Sequence, residues 1–116
     1  MLKIIITSLM ITVLSGCAAA PYKKADLSNY AGRVGYLEKE IRPKVYILEY
    51  SHIGGNNYNL ETNKTFWKRR AEELCPTGFD GSYEVIHPAE AKIEEFVCTQ
   101  RFCTKYPLVS GVIQCK

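Results

Sequence analysis

Residues 4–13 form an apolar run preceded by Lys3, and that run decides how much of the 116-residue chain is available to fold. A helix needs roughly 20 apolar residues to cross about 30 Å of hydrocarbon, so a run this short does not make a membrane span. A positive start, a short apolar stretch and an end of small residues match a targeting segment, which takes no part in the fold. Setting residues 1–16 aside leaves 100 residues, enough for one small domain. A chain of that size buries about 60 to 70% of the surface its unfolded form exposes, so its core is thin and a covalent staple matters.

The run ends in Leu14-Ser15-Gly16-Cys17, which resembles the lipobox of bacterial lipoproteins. The resemblance implies that Cys17 is the first residue of the mature chain, that its thiol is the lipidation site, and that the lipid bilayer is its first partner. One acyl chain binds reversibly, whereas two or three hold firmly, at about 0.8 kcal/mol per buried methylene. A plain signal peptide with an incidental cysteine is the competing reading. In Gram-negative members of the family, Asp after the cysteine tends to retain the protein at the inner membrane. Here Ala18 follows, which implies the periplasmic face of the outer membrane.

Of five cysteines, assigning Cys17 to lipid leaves Cys75, Cys98, Cys103 and Cys115 as disulfide candidates. An even number in an exported domain reads as two disulfides, and four cysteines allow three connectivities. A zinc site would want a closely spaced Cys pair or histidines at matching spacing; Cys98 and Cys103 are separated by four residues and the other two are isolated, so no metal is expected. Free or redox thiols are a third reading, although no C-x-x-C supports thioredoxin-like chemistry. The formal net charge of +3 falls by one with Lys3. That is too mild to draw nucleic acid, and no nucleic-acid partner is expected.

From residue 17 to 42 the chain is polar and punctuated by Pro21, Gly32 and Gly35, and it reads as a lipid-anchored tether that gains order near residues 34–37. Lys23 and Lys24 in it either meet headgroups, at about 1 kcal/mol each against anionic lipid, or are ordinary linker charge. The folded domain is expected over 43–116. Its first strand, residues 44–51, carries Tyr46, Leu48 and Tyr50 on one face and Val45 and Ile47 on the other, as a central strand covered on both sides would. A helix follows over 62–75, with Thr62 as its cap and Pro76 and Gly78 as its stop. Trp67, Ala71 and Leu74 recur at helical spacing to make the buried stripe. Arg70 falls beside that stripe, where it takes a carboxylate or carbonyl partner or else contacts a ligand. Residues 82–87 alternate as a strand, 96–99 suit another, and 108–113 a last one with Gly111 as a bulge or kink. The order predicts an α+β fold: one amphipathic helix packed on a small, mainly antiparallel sheet, stapled by disulfides. A hairpin of 82–87 with 96–99 would bring Cys98 to the helix end, predicting bridges 75–98 and 103–115.

Gly35-Tyr36-Leu37-Glu38, the strand 46–50, Gly55-Asn56, Thr62 and Arg70-Ala71-Glu72-Glu73-Leu74-Cys75 resemble a group of small proteobacterial lipoproteins. In those a strand ending Tyr-x-Gly-Asn leads to a helix ending Arg-Ala-Ala-Glu-Leu-Cys or similar. This chain departs from them at Arg69-Arg70 and in its cysteine-rich tail. The resemblance covers about residues 35–84 and implies a strand-helix core but no activity.

Catalytic machinery is hard to assemble from these residues. A Ser or Cys nucleophile needs a base in reach, yet the two histidines, His52 and His87, precede a Gly-Gly turn and a proline and read as surface or turn residues. No phosphate-loop, dinucleotide or metalloprotease motif occurs, so no cofactor is expected. Binding fits better. Tyrosine is favoured at interfaces, and Tyr36 and Tyr58 with Asn56 and Arg70 make a candidate binding surface; the alternative is that tyrosines fill a thin core. The loop 54–60 enters a helix N-terminus and could meet an anion or glycan, or be ordinary turn chemistry. The expected role is therefore a non-enzymatic envelope protein whose partner is an outer-membrane protein, a secretion assembly or peptidoglycan. Lys116 resembles the C-terminal lysine through which one outer-membrane lipoprotein is coupled to peptidoglycan, or is an incidental terminal residue. The alternative is a small periplasmic hydrolase or thiol redox factor.

Overall fold

A computed structural model describes residues 22–26, 33–55 and 57–116. The leader, the box ending at Cys17 and Asn56 lie outside the described residues. The strands are β1 (Arg33–Arg42), β2 (Val45–Ile53), β3 (Phe79–Asp80), β4 (Tyr83–Ile86) and β5 (Leu108–Cys115), and the helix is α1 (Leu60–Leu74). They make a five-stranded antiparallel sheet in the order β1-β2-β5-β3, with β4 also paired to β5. The α+β architecture with one helix on a sheet is as the sequence predicts. No helix among the described residues is long and apolar enough to cross a membrane.

β2 is the interior strand that its two apolar faces demand. On one face Leu48 and Tyr50 pack with Trp67, Ala71 and Cys75 of the helix side and with Val109 and Ile113 of β5. The Trp67 indole N–H donates to the Leu48 carbonyl at 2.7 Å, so the ring is anchored at its polar end as well as its apolar one. On the other face Leu37, Ile86 and Leu108 pack with Ile93 and Phe96, which come from a segment of short 3-10 turns at Pro88–Glu90, Glu94–Phe96 and Arg101–Lys105.

What fastens that second layer is Glu49, fully buried on β2. Its carboxylate accepts from the Ser110 hydroxyl at 2.6 Å and from the backbone N–H groups of Lys92 at 2.8 Å and Ile93 at 3.1 Å. A segment without strand partners must satisfy its inward amides some other way, and this carboxylate does so.

Several expectations are corrected. The stretch 33–42, read as tether, is the edge strand β1; its Glu38, Lys39, Glu40 and Arg42 are the charges an edge strand tolerates and a linker also shows. The helix starts earlier, with Asn59 as its cap: the Asn59 side chain accepts from the Thr62 N–H at 3.0 Å, so Thr62 is capped rather than capping. Residues 96–99 are not a strand: their expected partner, β4, pairs with β5 instead, and Glu94–Phe96 is a 3-10 turn. Ile93 and Phe96 instead bury three residues apart, as side chains on a 3-10 turn do. Gly111 makes no bulge; pairing to Leu48 and Tyr83 runs straight through it. A Cβ there would lie 2.7 Å from the Trp67 ring, so glycine makes room for the indole.

The disulfide pairing also differs. Cys75 joins Cys115 with Cα atoms 5.0 Å apart, and Cys98 joins Cys103 at 6.2 Å. The predicted hairpin does not exist, since β4 pairs with β5 instead. The end of β5 runs past the helix terminus, where the Lys116 N–H donates to the Gly78 carbonyl at 2.9 Å and the Thr77 hydroxyl to the Lys116 carbonyl at 2.8 Å. That brings Cys115 beneath Cys75. In a chain-entropy picture, cross-links 40 and 5 residues apart stabilise by about 4 and about 2 kcal/mol respectively.

Glu49→Ala removes the acceptor of three inward donors and is expected to destabilise the domain by about 2–5 kcal/mol. Chemical denaturation measures the loss, and amide exchange should show it first at Lys92 and Ile93. An unchanged midpoint would show that Glu49 does not fasten the second layer.

Candidate functional site

The helix and the edge strand leave a groove between them, and its walls follow from two periodicities. Phe66, Arg70 and Glu73 share one flank of α1 at i, i+4, i+7, while Tyr36 and Glu38 alternate onto the same face of β1. Arg70 closes the groove. Its Nε and Nη2 donate to the two carboxylate oxygens of Glu38 at 3.2 and 3.0 Å, and its Nη1 reaches Glu73 at 3.3 Å. The guanidinium also lies 4.3 Å over the Tyr36 ring. The pair is about four-fifths buried on both sides, and a bidentate fork in that setting contributes on the order of 1 kcal/mol after screening.

Into this groove the chain lays its own residues 22–26, a strap running alongside β1. The Tyr36 N–H donates to the Lys23 carbonyl at 2.9 Å, and the Ala25 N–H to the Tyr36 carbonyl at 3.0 Å, a short parallel bridge. Gly35 permits it: with φ +129°, a Cβ at this position would stand 2.5 Å from the Lys23 carbonyl oxygen and 2.7 Å from the Ala25 nitrogen. Tyr22 is the plug. Its ring sits 5.3 Å from Tyr36 and 5.4 Å from Phe66, with the Arg69 guanidinium 3.9 Å over its face, and its hydroxyl donates to Glu73. Aromatic pairs at such separations contribute about 0.5–1.5 kcal/mol each beyond the area they bury.

The network perturbs its own titration. Burial, then the bond to Glu73, raises the Tyr22 phenol above its ordinary range. The same bond, with Arg70 and Arg69 nearby, holds the Glu73 carboxyl below its ordinary range against a smaller opposing effect of burial. The bond to Glu38 raises the Arg70 guanidinium further, with burial opposing. The site is thus a closed chain of charge and hydrogen bonding that grips a tyrosine.

Among the four expected surface residues, Tyr36 and Arg70 are brought into contact here. Tyr58 belongs to a second ring cluster: its hydroxyl donates to the Pro107 carbonyl at 2.6 Å, and its ring lies 5.8 Å from His52 and 5.6 Å from Tyr106. Asn56 lies outside the described residues. The helix N-terminus, expected as an anion contact, already has its Thr62 amide occupied by Asn59. His52, expected at the surface, is instead 1% exposed; it occupies the helix-facing side of β2, one pleat beyond Tyr50. His87 is the turn residue expected, its Nδ1 accepting from the Ala89 N–H at 2.9 Å. Neither histidine sits in the groove, and no three of His, Cys, Asp and Glu converge among the described residues.

Beyond the groove, a cleft of about 490 Å³ is lined by Arg33, Ile53, Phe102 and residues 97–100. Its arginine is occupied, Nη1 donating to the Val97 carbonyl at 2.8 Å. Sequence reasoning missed Tyr22, Glu38, Phe66 and Glu73 as groove residues. The helical spacing of 66, 70 and 73 against the alternation of 36 and 38 carried the signal. No protein family, curated protein or solved structure matches this chain.

Gly35→Ala is expected to expel the strap while the helix and sheet stay folded, seen as faster amide exchange at Ala25 and Tyr36; unchanged exchange would refute the fit. Docking should also depend on pH at both ends. Glu73 is depressed when docked, so its contribution is present above an unfolded carboxyl pKa of about 4.3 and is lost as pH falls through the lower docked value. Tyr22 is raised, so its contribution is present below about pH 10 and is lost as pH climbs through the docked value. The nuclear Overhauser contact between the Tyr22 and Phe66 rings is expected to persist across that window and fade outside it.

Proposed function

We propose that this chain is a lipid-anchored protein of the bacterial envelope, held at the periplasmic face of the outer membrane through Cys17 and acting there by binding or support rather than by catalysis. The observation that carries the reading is the fate of the cysteines. Cys75, Cys98, Cys103 and Cys115 pair among themselves, so Cys17 has no cysteine partner left in the chain and stands where the Leu14-Ser15-Gly16 box would present it for acylation. Two disulfides in one small domain also suit an oxidising compartment better than a cytosol. Ala18 favours the outer membrane over retention at the inner one.

The partners that fit are an outer-membrane protein, a secretion assembly or peptidoglycan. Lys116 has a half-exposed side chain 3.8 Å from Asp80. At the Cys98–Cys103 bridge, 7% and 0% exposed, thiol exchange is hindered by burial, whereas Cys115 of the other bridge is partly buried.

Metabolic labelling of the full chain with an alkyne fatty acid, in a Gram-negative host, is expected to mark the protein, and Cys17→Ser is expected to abolish both the label and its recovery with membranes. A mature product that begins elsewhere than residue 17, or a label that survives the substitution, would overturn the reading.

A further inference from the structure

We infer that the acylated chain meets the bilayer with one defined side, the strap 22–26 with the neighbouring flank of α1 and rim of β1, and that the partner of this surface is the phosphate layer of the phospholipid headgroups. The inference rests on the acylation proposed above and adds which face of the domain the anchor imposes.

Reach decides it. Four residues stand between Cys17 and Tyr22, so the lipidated residue and the plug are separated by at most about 18 Å of extended chain. A domain of about 90 residues is about 30 Å across. A spacer shorter than the domain is wide cannot let the domain roll over onto its other side. This holds only if Tyr22 is fastened, and it is: two rings, the Arg69 guanidinium, the Glu73 carboxylate and the backbone bridge to Tyr36 all grip the strap. Had residues 17–42 formed one long tether, the domain would be free to face any direction.

The chemistry of the near side agrees. Lys23 and Lys24 are exposed, and the Arg69 side chain is 58% exposed where it covers Tyr22. Glu73 has its carboxylate engaged by Tyr22, Arg69 and Arg70. Asp26, Glu72 and Glu40 of β1 are exposed acids on the same side. Cations next to an acyl anchor are drawn to an anionic headgroup layer. The opposite edge of the sheet, where β3 and β4 pair with β5, lies three strands from β1 and is left facing the periplasm.

The test uses the acylated mature protein, isotope-labelled and reconstituted in nanodiscs of phosphatidylethanolamine and phosphatidylglycerol that carry a nitroxide on a fraction of the headgroups. Amide signals of residues 22–26 and of Phe66, Arg69 and Glu73 are expected to broaden severalfold more than those of Tyr83–Ile86. A second variant inserts a flexible Gly/Ser stretch, longer than the domain is wide, between Pro21 and Tyr22 and leaves the strap itself untouched. It is expected to stay on the disc and lose the contrast. Even broadening in the native chain would overturn the defined face while leaving the anchor in place, and a contrast that survives the insertion would overturn the short spacer as what imposes that face. A chain that does not travel with the discs at all overturns the acylation itself, and the face with it.

Discussion

The buried carboxylate of Glu49 is the point from which the second half of the molecule hangs. A carboxylate in a protein interior is stable only when donors surround it, and three do: one hydroxyl from β5 and two amides from the turn segment. The dependence runs in both directions. Without Glu49 the buried amide of Ile93 and the part-buried amide of Lys92 would lose their acceptor, and without the segment the carboxylate would keep only the Ser110 hydroxyl. One buried side chain therefore lets a stretch with no strand partners serve as a layer of the core, and it aligns β2, β5 and the segment together. The Cys98–Cys103 bridge then closes the far part of that segment locally.

The other face works by apolar fit, with Trp67 seated over Gly111 and tied to the Leu48 carbonyl. The groove lies at the margin of that fit, where α1 runs past the edge of the sheet. An edge strand presents unpaired backbone groups, a liability unless something covers them. Here the chain covers part of β1 with its own strap, and Tyr22 fills the gap that Phe66 and Tyr36 leave between helix and strand. On the anchoring proposed above, the contact that covers the edge would also shorten the stretch between Cys17 and the domain.

Much of this was legible in residue order. The two-faced apolar strand around Leu48, the Trp67-Ala71-Leu74 stripe and the Pro76-Gly78 stop are patterns of near neighbours, and each became the element expected. Where the reading failed, the deciding contact was distant. Charges in residues 38–42 look alike in a linker and on an edge strand, and only the β2 ladder tells them apart. His52, one residue ahead of two glycines, reads as a surface or turn residue until β2 is found to continue through it to Ile53. Within the groove, Arg70 is marked because it falls beside an apolar stripe, whereas no local pattern marks Tyr22.

By itself, the order of residues determined the class of fold, the central strand, the single helix and the need for staples, because helix and strand periods are set by side chains a few positions apart. Only the tertiary structure decided which cysteines meet, where the carboxylate of Glu49 finds its donors and that residues 33–42 form a strand. Those outcomes depend on which sheet edges remain open once β5 has paired on both sides, a competition between segments far apart in the chain that no local pattern records.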